Sequence, residues 1–597
     1  MLTEKGKSLA NVEIPYAGAF RVVDIKARTI HPDGSIVALE GKPEDLLAVK
    51  SGDMKVGKKV FTLPSVTVGS ILEYRYDLDY PEGTVSSPRW NIQRDYFVHQ
   101  AHYSFMPFKT FLPGVDNATS RYITDSRTGA VLNNLIWWSS LPPGSAPLKT
   151  DATGRFFLDL TDIPARPDEE WMPPIDGIVY RVQFYYKGSY STLQFWQDEG
   201  KRWSKAVDHF AQPSPTLREA VAGLVTPTDS DEIKARKIYA AVQALDNTNY
   251  SRARSASEMQ QLKIKTAGRA EDVWAQKAGD SNEIALLYLA MLRAAGLKAY
   301  ALKVVDRSQT LFDYTYLDRS QFSDVLVLFS TGGKDTPLDP GQKMCPFGTM
   351  SWRHSDSVAL RQTDKGVLFA ETAPLSYNAN TTARTGDIFI NEHGGISGSI
   401  TMIMTGQQAL RWRQAALRSG EADVKQQFDR ELRQTVPAGV DAHVDHFLGL
   451  NDPSLNLMAV VNVNGSMGAA TAKRLLLPGF FFESRNSEPF VQEEKRLEPI
   501  DMHYAERISD QITYHLPAKM TVEGTPQDAN VPWPQHAVYI SRSKTDPGEI
   551  TVARALIRSF DMLKASDYQD LRGFYQKVAT ADQQELVLHA APEVKGN

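Results

Sequence analysis

Residues 277–300 constrain this chain more than any other stretch. Asp280 and Ser281 are good helix N-caps, and Ile284, Leu287, Tyr288, Met291, Leu292 and Ala295 fall on one stripe at three-to-four spacing. Gly296 supplies a left-handed stop, and the run Leu297 to Val305 follows as a strand. The spacing therefore predicts a buried amphipathic helix entered by a tight Gly279-Asp280 turn. Free amide groups and the helix dipole at such a start favour an anion. A cysteine there would ionise readily, whereas a serine hydroxyl needs an adjacent general base before it can attack anything.

Around this helix, the region from about Trp196 to Leu360 resembles the transglutaminase-like, papain-related core of bacterial proteins that carry an N-terminal domain of unknown function and a companion C-terminal domain. In that family a Cys opens the helix, a His follows on a strand after a Phe, and an Asp sits in a Leu-Asp-Pro stretch. Here the Cys position holds Ser281, and the His position falls at Asp324 in Gln321 to Val327. The Asp is matched by Asp339 in Pro337 to Pro340. The resemblance implies a degenerate triad of Ser281, Asp324 and Asp339. It also implies a cleft lined by Asp280, Ser281, Asn282, Phe322, Asp324 and Asp339.

The twelve histidines are at 31, 99, 102, 209, 354, 393, 443, 446, 503, 515, 536 and 589, so none lies between the helix and the Asp339 turn. The expectation is that no imidazole within the core serves Ser281. An ordinary carboxylate such as Asp324 is too weak a base for a serine hydroxyl, so the core reads as silent by the family mechanism.

Length and patterning set the surroundings. A chain of 597 residues is too long for one core. The reading is a multidomain α+β protein. Residues 1–190 form an N-terminal β-sandwich-like domain, 191–365 the transglutaminase-like α+β core, and 366–597 a C-terminal β-rich domain with helical insertions. The first domain rests on alternating runs at Phe20 to Ile30 and Ser70 to Tyr76, punctuated by turns at Pro32 to Gly34, Pro64 and Pro81 to Gly83. Residues 30–34, 61–64 and 68–74 are similar to the family's N-terminal domain. In the core, 216–225 and 231–245 have helical spacing. In the last part, 388–403 reads as a hairpin turning at Gly394-Gly395, 407–434 as an amphipathic helix, and 567–578 as a closing helix.

A net charge of −5 gives no electrostatic case for nucleic acid. No apolar run approaches the roughly 18 residues of a membrane-spanning helix. The segment Met1 to Lys7 has no signal-peptide architecture. The resemblance nevertheless implies a periplasmic or extracellular protein whose relatives begin further upstream, so the first strands of the β-domain are expected to be missing. No cofactor or metal motif is present. His443 and His446 would face opposite sides of a strand, and Gly332-Gly333-Lys334 lacks phosphate-loop spacing and reads as a hairpin turn.

Three further constellations have both a chemical and a packing reading. Cys345, followed by Trp352 and His354, offers a thiol and an imidazole close in sequence, although a cysteine before a proline in an apolar turn is more often structural. The polar linker 251–270 carries Arg252, Arg254, Lys263, Lys265 and Arg269 as a solvated loop or as charged partners of a ligand. Phe312, Tyr314 and Tyr316 lie among charges in the 306–319 insertion, as packing or as an aromatic lid.

The function expected from these readings is a binding or scaffold module for a peptide, a protein or a polysaccharide of the cell envelope. Two alternatives stay open. One is an amide hydrolase or acyltransferase using Ser281 or Cys345, and the other is a purely structural envelope component.

Overall fold

The computed structural model describes residues 1–17, 20–51, 54–80, 88–107, 122–124, 131–187, 191–251, 254–262, 264–471, 473–482 and 489–590. The described residues fall into two compact units, 1–88 with 106–107 and the remainder. The protein is a multidomain, β-rich α+β chain with helices in its middle and near its C-terminus. No described helix is long and apolar enough to cross a membrane.

In the first unit, strands Asn11–Ala17, Met54–Thr62 and Glu44–Ser51 form one antiparallel sheet, and Ile36–Ala38, Arg21–Ile30 and Ile71–Asp79 form another. Strict alternation along Asn11–Ala17 sends Val12 and Ile14 inward. They meet Val22, Phe61 and Leu63 in a core drawn from both sheets. The turn foreseen at Pro32 to Gly34 closes the hairpin, with Gly34 at φ 84° and the His31 N–H donating to the Ser35 carbonyl at 2.8 Å. The turn expected at Pro81 to Gly83 lies outside the described residues.

The second unit begins with two small sheets over residues 89–187, whose core is built on Trp90, Phe156 and Phe184. The helices Thr192–Phe210, Pro215–Ala222, Asp231–Gln243 and Ala270–Gln276 then lead to the helix Ser281–Ala294. That helix packs on a five-stranded antiparallel sheet ordered Lys334–Leu338, Asp324–Thr331, Ala299–Val304, Val358–Thr363 and Gly366–Glu371. It is buried beyond the stripe the spacing predicted, since Leu289 and Ala290 are also fully enclosed. The sheet covers one side, through Val325 and Val327, and neighbouring helices cover the other, through Leu217, Ile238 and Val273. Gly332 and Gly333, at φ 57° and 77°, make the hairpin turn between Asp324–Thr331 and Lys334–Leu338.

The C-terminal part is organised on an eight-stranded sheet running from Val440–Leu448 at one edge to Ala529–Trp533 at the other. At its centre Thr381–Ile390 and Glu506–His515 pair in parallel. The hairpin expected at Gly394-Gly395 is present. The single helix expected over 407–434 is instead two, Gly406–Ser419 and Glu421–Thr435, because Gly420 adopts φ 85° and turns the chain. Their apolar faces, carrying Trp412 and Phe428, lie on the sheet. The closing helix, Tyr568–Asp582, extends four residues beyond its expected end.

Between the closing helix and the sheet, Arg554 donates to both carboxylate oxygens of Asp582, at 2.9 and 2.6 Å, and Tyr539 donates to the same group at 2.6 Å. Removing one partner of such an enclosed pair strands the other. Arg554→Met is expected to destabilise the C-terminal part by about 3–5 kcal/mol, read as a downward shift of its calorimetric transition. A change under about 1 kcal/mol would show that water reaches this pair.

Candidate functional site

Ser281 is the first residue of its helix. The helix start is fixed by Asp280, whose carboxylate accepts from the Glu283 N–H at 2.8 Å while the Glu283 carboxylate accepts from the Asp280 N–H at 2.9 Å. The Ser281 hydroxyl is nearly buried and lies 3.4–3.5 Å from the side-chain amide of Asn247. Asn247 in turn donates to the Gly341 carbonyl at 2.8 Å. A Cβ on Gly341 would stand 2.6 Å from the Ser281 carbonyl oxygen, so only glycine lets the Asp339 turn approach the helix this closely.

His354 reaches this site from beyond the Asp339 turn. Its Nδ1 lies 2.8 Å from Asp339 Oδ2 and its Nε2 lies 3.2 Å from Asp324 Oδ2. This corrects the expectation that no imidazole is available within the core. The cause is sheet order: Val304 pairs with Asp324 on one side and Ala359 on the other, so the turn before Val358–Thr363 is brought beside the start of Asp324–Thr331. Asp339 also accepts from the Ser351 N–H at 3.0 Å, and Ser323 donates to Asp324 at 3.1 Å.

Both ring nitrogens of His354 are thus engaged by carboxylates, which makes the ring a double donor. Burial disfavours the charged ring, but the Asp339 charge, the hydrogen bond to Asp324 and the hydrogen bond to Asp339 outweigh it. Together they raise the imidazole from 6.5 to about 10. Burial likewise pushes Asp324 up, and the hydrogen bond from His354 and its charge overcome this to hold Asp324 below the ordinary carboxylate range. At neutral pH the group is an imidazolium between two carboxylates, with no lone pair to accept a proton. Among the described residues no hydrogen bond joins Ser281 to His354.

The turn carrying His354 is held from several directions. The Thr372 hydroxyl donates to the His354 carbonyl at 2.5 Å. Arg307 donates from its backbone to the Arg353 carbonyl at 2.8 Å and from Nη1 to the Ser355 carbonyl at 3.0 Å. The same guanidinium reaches Asp561 at 2.8 Å and Asp501 at 3.3 Å in the C-terminal part. Gln407 accepts from the Trp352 N–H at 2.8 Å and donates to the Met350 carbonyl at 2.9 Å, and the His503 ring stacks on Trp352 at 4.1 Å.

The other expected site residues divide. Asn282 stands beside Ser281, donating to the Ser323 carbonyl at 2.9 Å, and its Oδ1 is buried without a partner. Phe322 packs against Trp196 and Phe312 inside a hydrophobic cluster instead of facing a cleft. Cys345 is buried, with Sγ 3.5 Å from Thr349 Oγ1. Burial first and the Asp339 charge second push its thiol well above the ordinary range, so it stays protonated. The thiol and imidazole that are close in sequence do not pair, because His354 is committed to the two aspartates.

The aromatic residues of the 306–319 insertion pack, and in the 251–270 linker Lys265 and Arg269 are exposed. Phe312 and Tyr314 lie against Phe369, and Tyr316 against Trp138 and Tyr185. Arg254 is paired with Asp246 at 2.7 Å, and Arg252 and Lys263 lie outside the described residues. His443 pairs with Asp441 and Asp429, and His446 with Asp445, as separate contacts.

Comparison with known proteins adds the frame. Residues 1–108 match the model of a domain of unknown function with a solved structure, DUF3857, and residues 473–588 match a second such domain, DUF3858. Two domains of unknown function flank the site. No curated protein matches the sequence. The fold is similar to the crystal structure of a protein from Parabacteroides distasonis ATCC 8503 described as a candidate protease. The TM-score is 0.53 and the identity 13%, over 99% of this chain and 94% of that one.

The charge state of His354 has a measurable consequence. A folded-state value raised from 6.5 to about 10 contributes stability that is whole below pH 6.5 and is lost as pH rises toward 10. Asp324, lowered below 3.8, contributes above that pH and loses its share as the solution is acidified past it. Calorimetry should show the transition containing the core falling between pH 6.5 and 10. His354→Gln should start about 3 kcal/mol or more lower and lack that slope. An identical slope in the variant would place the titration elsewhere.

Proposed function

We propose that residues 191–365 are a degenerate transglutaminase-like core that works by binding, set between β-domains at 1–190 and 366–597, in a protein of the cell envelope. The observation that carries this reading is the commitment of both His354 nitrogens to Asp339 and Asp324. A general base must keep an open nitrogen within reach of the hydroxyl it deprotonates. Here the imidazole is a charged tie between two loops, and Ser281 turns to Asn247.

The same atoms are arranged for recognition. The helix start at Ser281 presents a positive dipole end, and Asp324 and the Asn282 side chain beside it are partly exposed. These features favour an extended peptide or an amide-bearing envelope polymer as the ligand. The likeness to a candidate protease is one of fold, and a likeness of fold does not carry activity.

The experiment is mass-spectrometric mapping after exposing the folded protein to a fluorophosphonate and, separately, to iodoacetamide, with denatured protein as control. The expected result is no selective native-state labelling of Ser281, and protection of Cys345 until unfolding. Fluorophosphonate on Ser281 in the folded protein, above the denatured control, would mean that the serine is activated and that the core is an enzyme.

A further inference from the structure

A cavity of about 630 Å³ opens beside the His354 turn, between the core and the Gly406–Ser419 helix. Four guanidinium groups line it, from Arg353, Arg411, Arg418 and Arg558, against one lining carboxylate, Glu506. Three of the four already face acids. Arg558 meets Glu506 at 3.0 Å, Arg411 meets Glu431, and Arg353 has a long contact with Asp306 at 3.8 Å. Arg418 is exposed and pairs with no carboxylate among the described residues. It lies over the Tyr250 ring, 5.0 Å from its centroid.

This cavity shares a wall with the candidate site. Gln414 lines it and donates to Gln342 Oε1 at 3.3 Å and to the Lys343 carbonyl at 3.0 Å. Tyr250, beneath Arg418, donates to the same Gln342 oxygen at 2.5 Å, and the Gln342 N–H donates to the Asp339 carbonyl at 3.2 Å. A ligand held by Arg418 would therefore rest one side chain from the turn that carries Asp339.

We propose that this cavity binds a carboxylate side chain of an acidic peptide, with Arg418 as its principal contact and Arg353 as the second. A guanidinium without an acid partner and one with only a distant partner present a planar donor pair suited to a carboxylate. An acidic peptide fits better than an acidic glycan. Of the two lining tryptophans, Trp352 stacks on His503 and Trp171, 37% exposed, also meets that ring at 5.5 Å, so four guanidinium groups face a ligand beside a single partly open aromatic ring on which a sugar would stack. The inference rests on the binding reading of the core and names the chemistry of its ligand.

The test is a fluorescence-anisotropy titration of labelled hexaglutamate with the full chain at low salt, beside hexalysine and a hexauronate of equal charge. Saturable binding of hexaglutamate alone is expected, weakening as salt rises. Arg418→Glu is expected to lower affinity about tenfold or more, with Arg353→Gln giving a smaller loss and both variants melting like the parent. No binding of hexaglutamate, an unchanged affinity in Arg418→Glu, or tighter binding of the hexauronate would each overturn the proposal. Fluorophosphonate labelling of Ser281 together with the expected Arg418 effect would instead sink the silent core and leave the cavity assignment standing.

Discussion

The Asp324–His354–Asp339 contact is the interaction on which the centre of this molecule depends. It joins three pieces of chain that the topology brings to one end of a sheet: the start of the Asp324–Thr331 strand, the Asp339 turn and the turn before Val358–Thr363. Two carboxylates this close would repel one another if the ring between them were neutral or absent. The imidazolium resolves that repulsion by donating to both. Its stabilising role and its unsuitability as a base have the same origin, since the protons that tie it to the aspartates leave it no lone pair for Ser281.

The turn that carries His354 also connects the core to the C-terminal part. Arg307 holds the backbone on either side of His354 and reaches Asp501 and Asp561, while Gln407 and His503 grip Trp352. The position of the imidazole is therefore set as much by residues near 407, 501 and 561 as by the core itself. A core cut free of these contacts would lose the partners that orient the His354 turn. The basic cavity lies at the same junction, which places its arginines where the two parts of the chain meet.

Much of this was legible in the residues. The helix start at Asp280-Ser281, the Gly296 stop, the strand after it, the Gly332-Gly333 turn and the Gly394 hairpin are local features whose capping and turn chemistry act within a few residues. Asp324 and Asp339 both contact His354. The misses share one character. The helix expected over 407–434 was read through Gly420 because apolar spacing continues across it, and the backbone break at φ 85° carries no periodic signal. Phe322, which the resemblance implies lines the cleft, lies two residues before the Asp324–Thr331 strand and turns into a hydrophobic cluster.

The sequence by itself determined that a buried helix begins at Asp280-Ser281 and stops at Gly296. This follows from capping and short-range spacing, which act within a few residues. Only the tertiary structure decided that an imidazole stands between Asp324 and Asp339, that it is charged, and that Cys345 is sealed away from it. Strand order brings the turn that carries His354 beside Asp324, and two facing acids, against burial, hold its proton. Neither effect has any trace in the spacing of the residues along the chain.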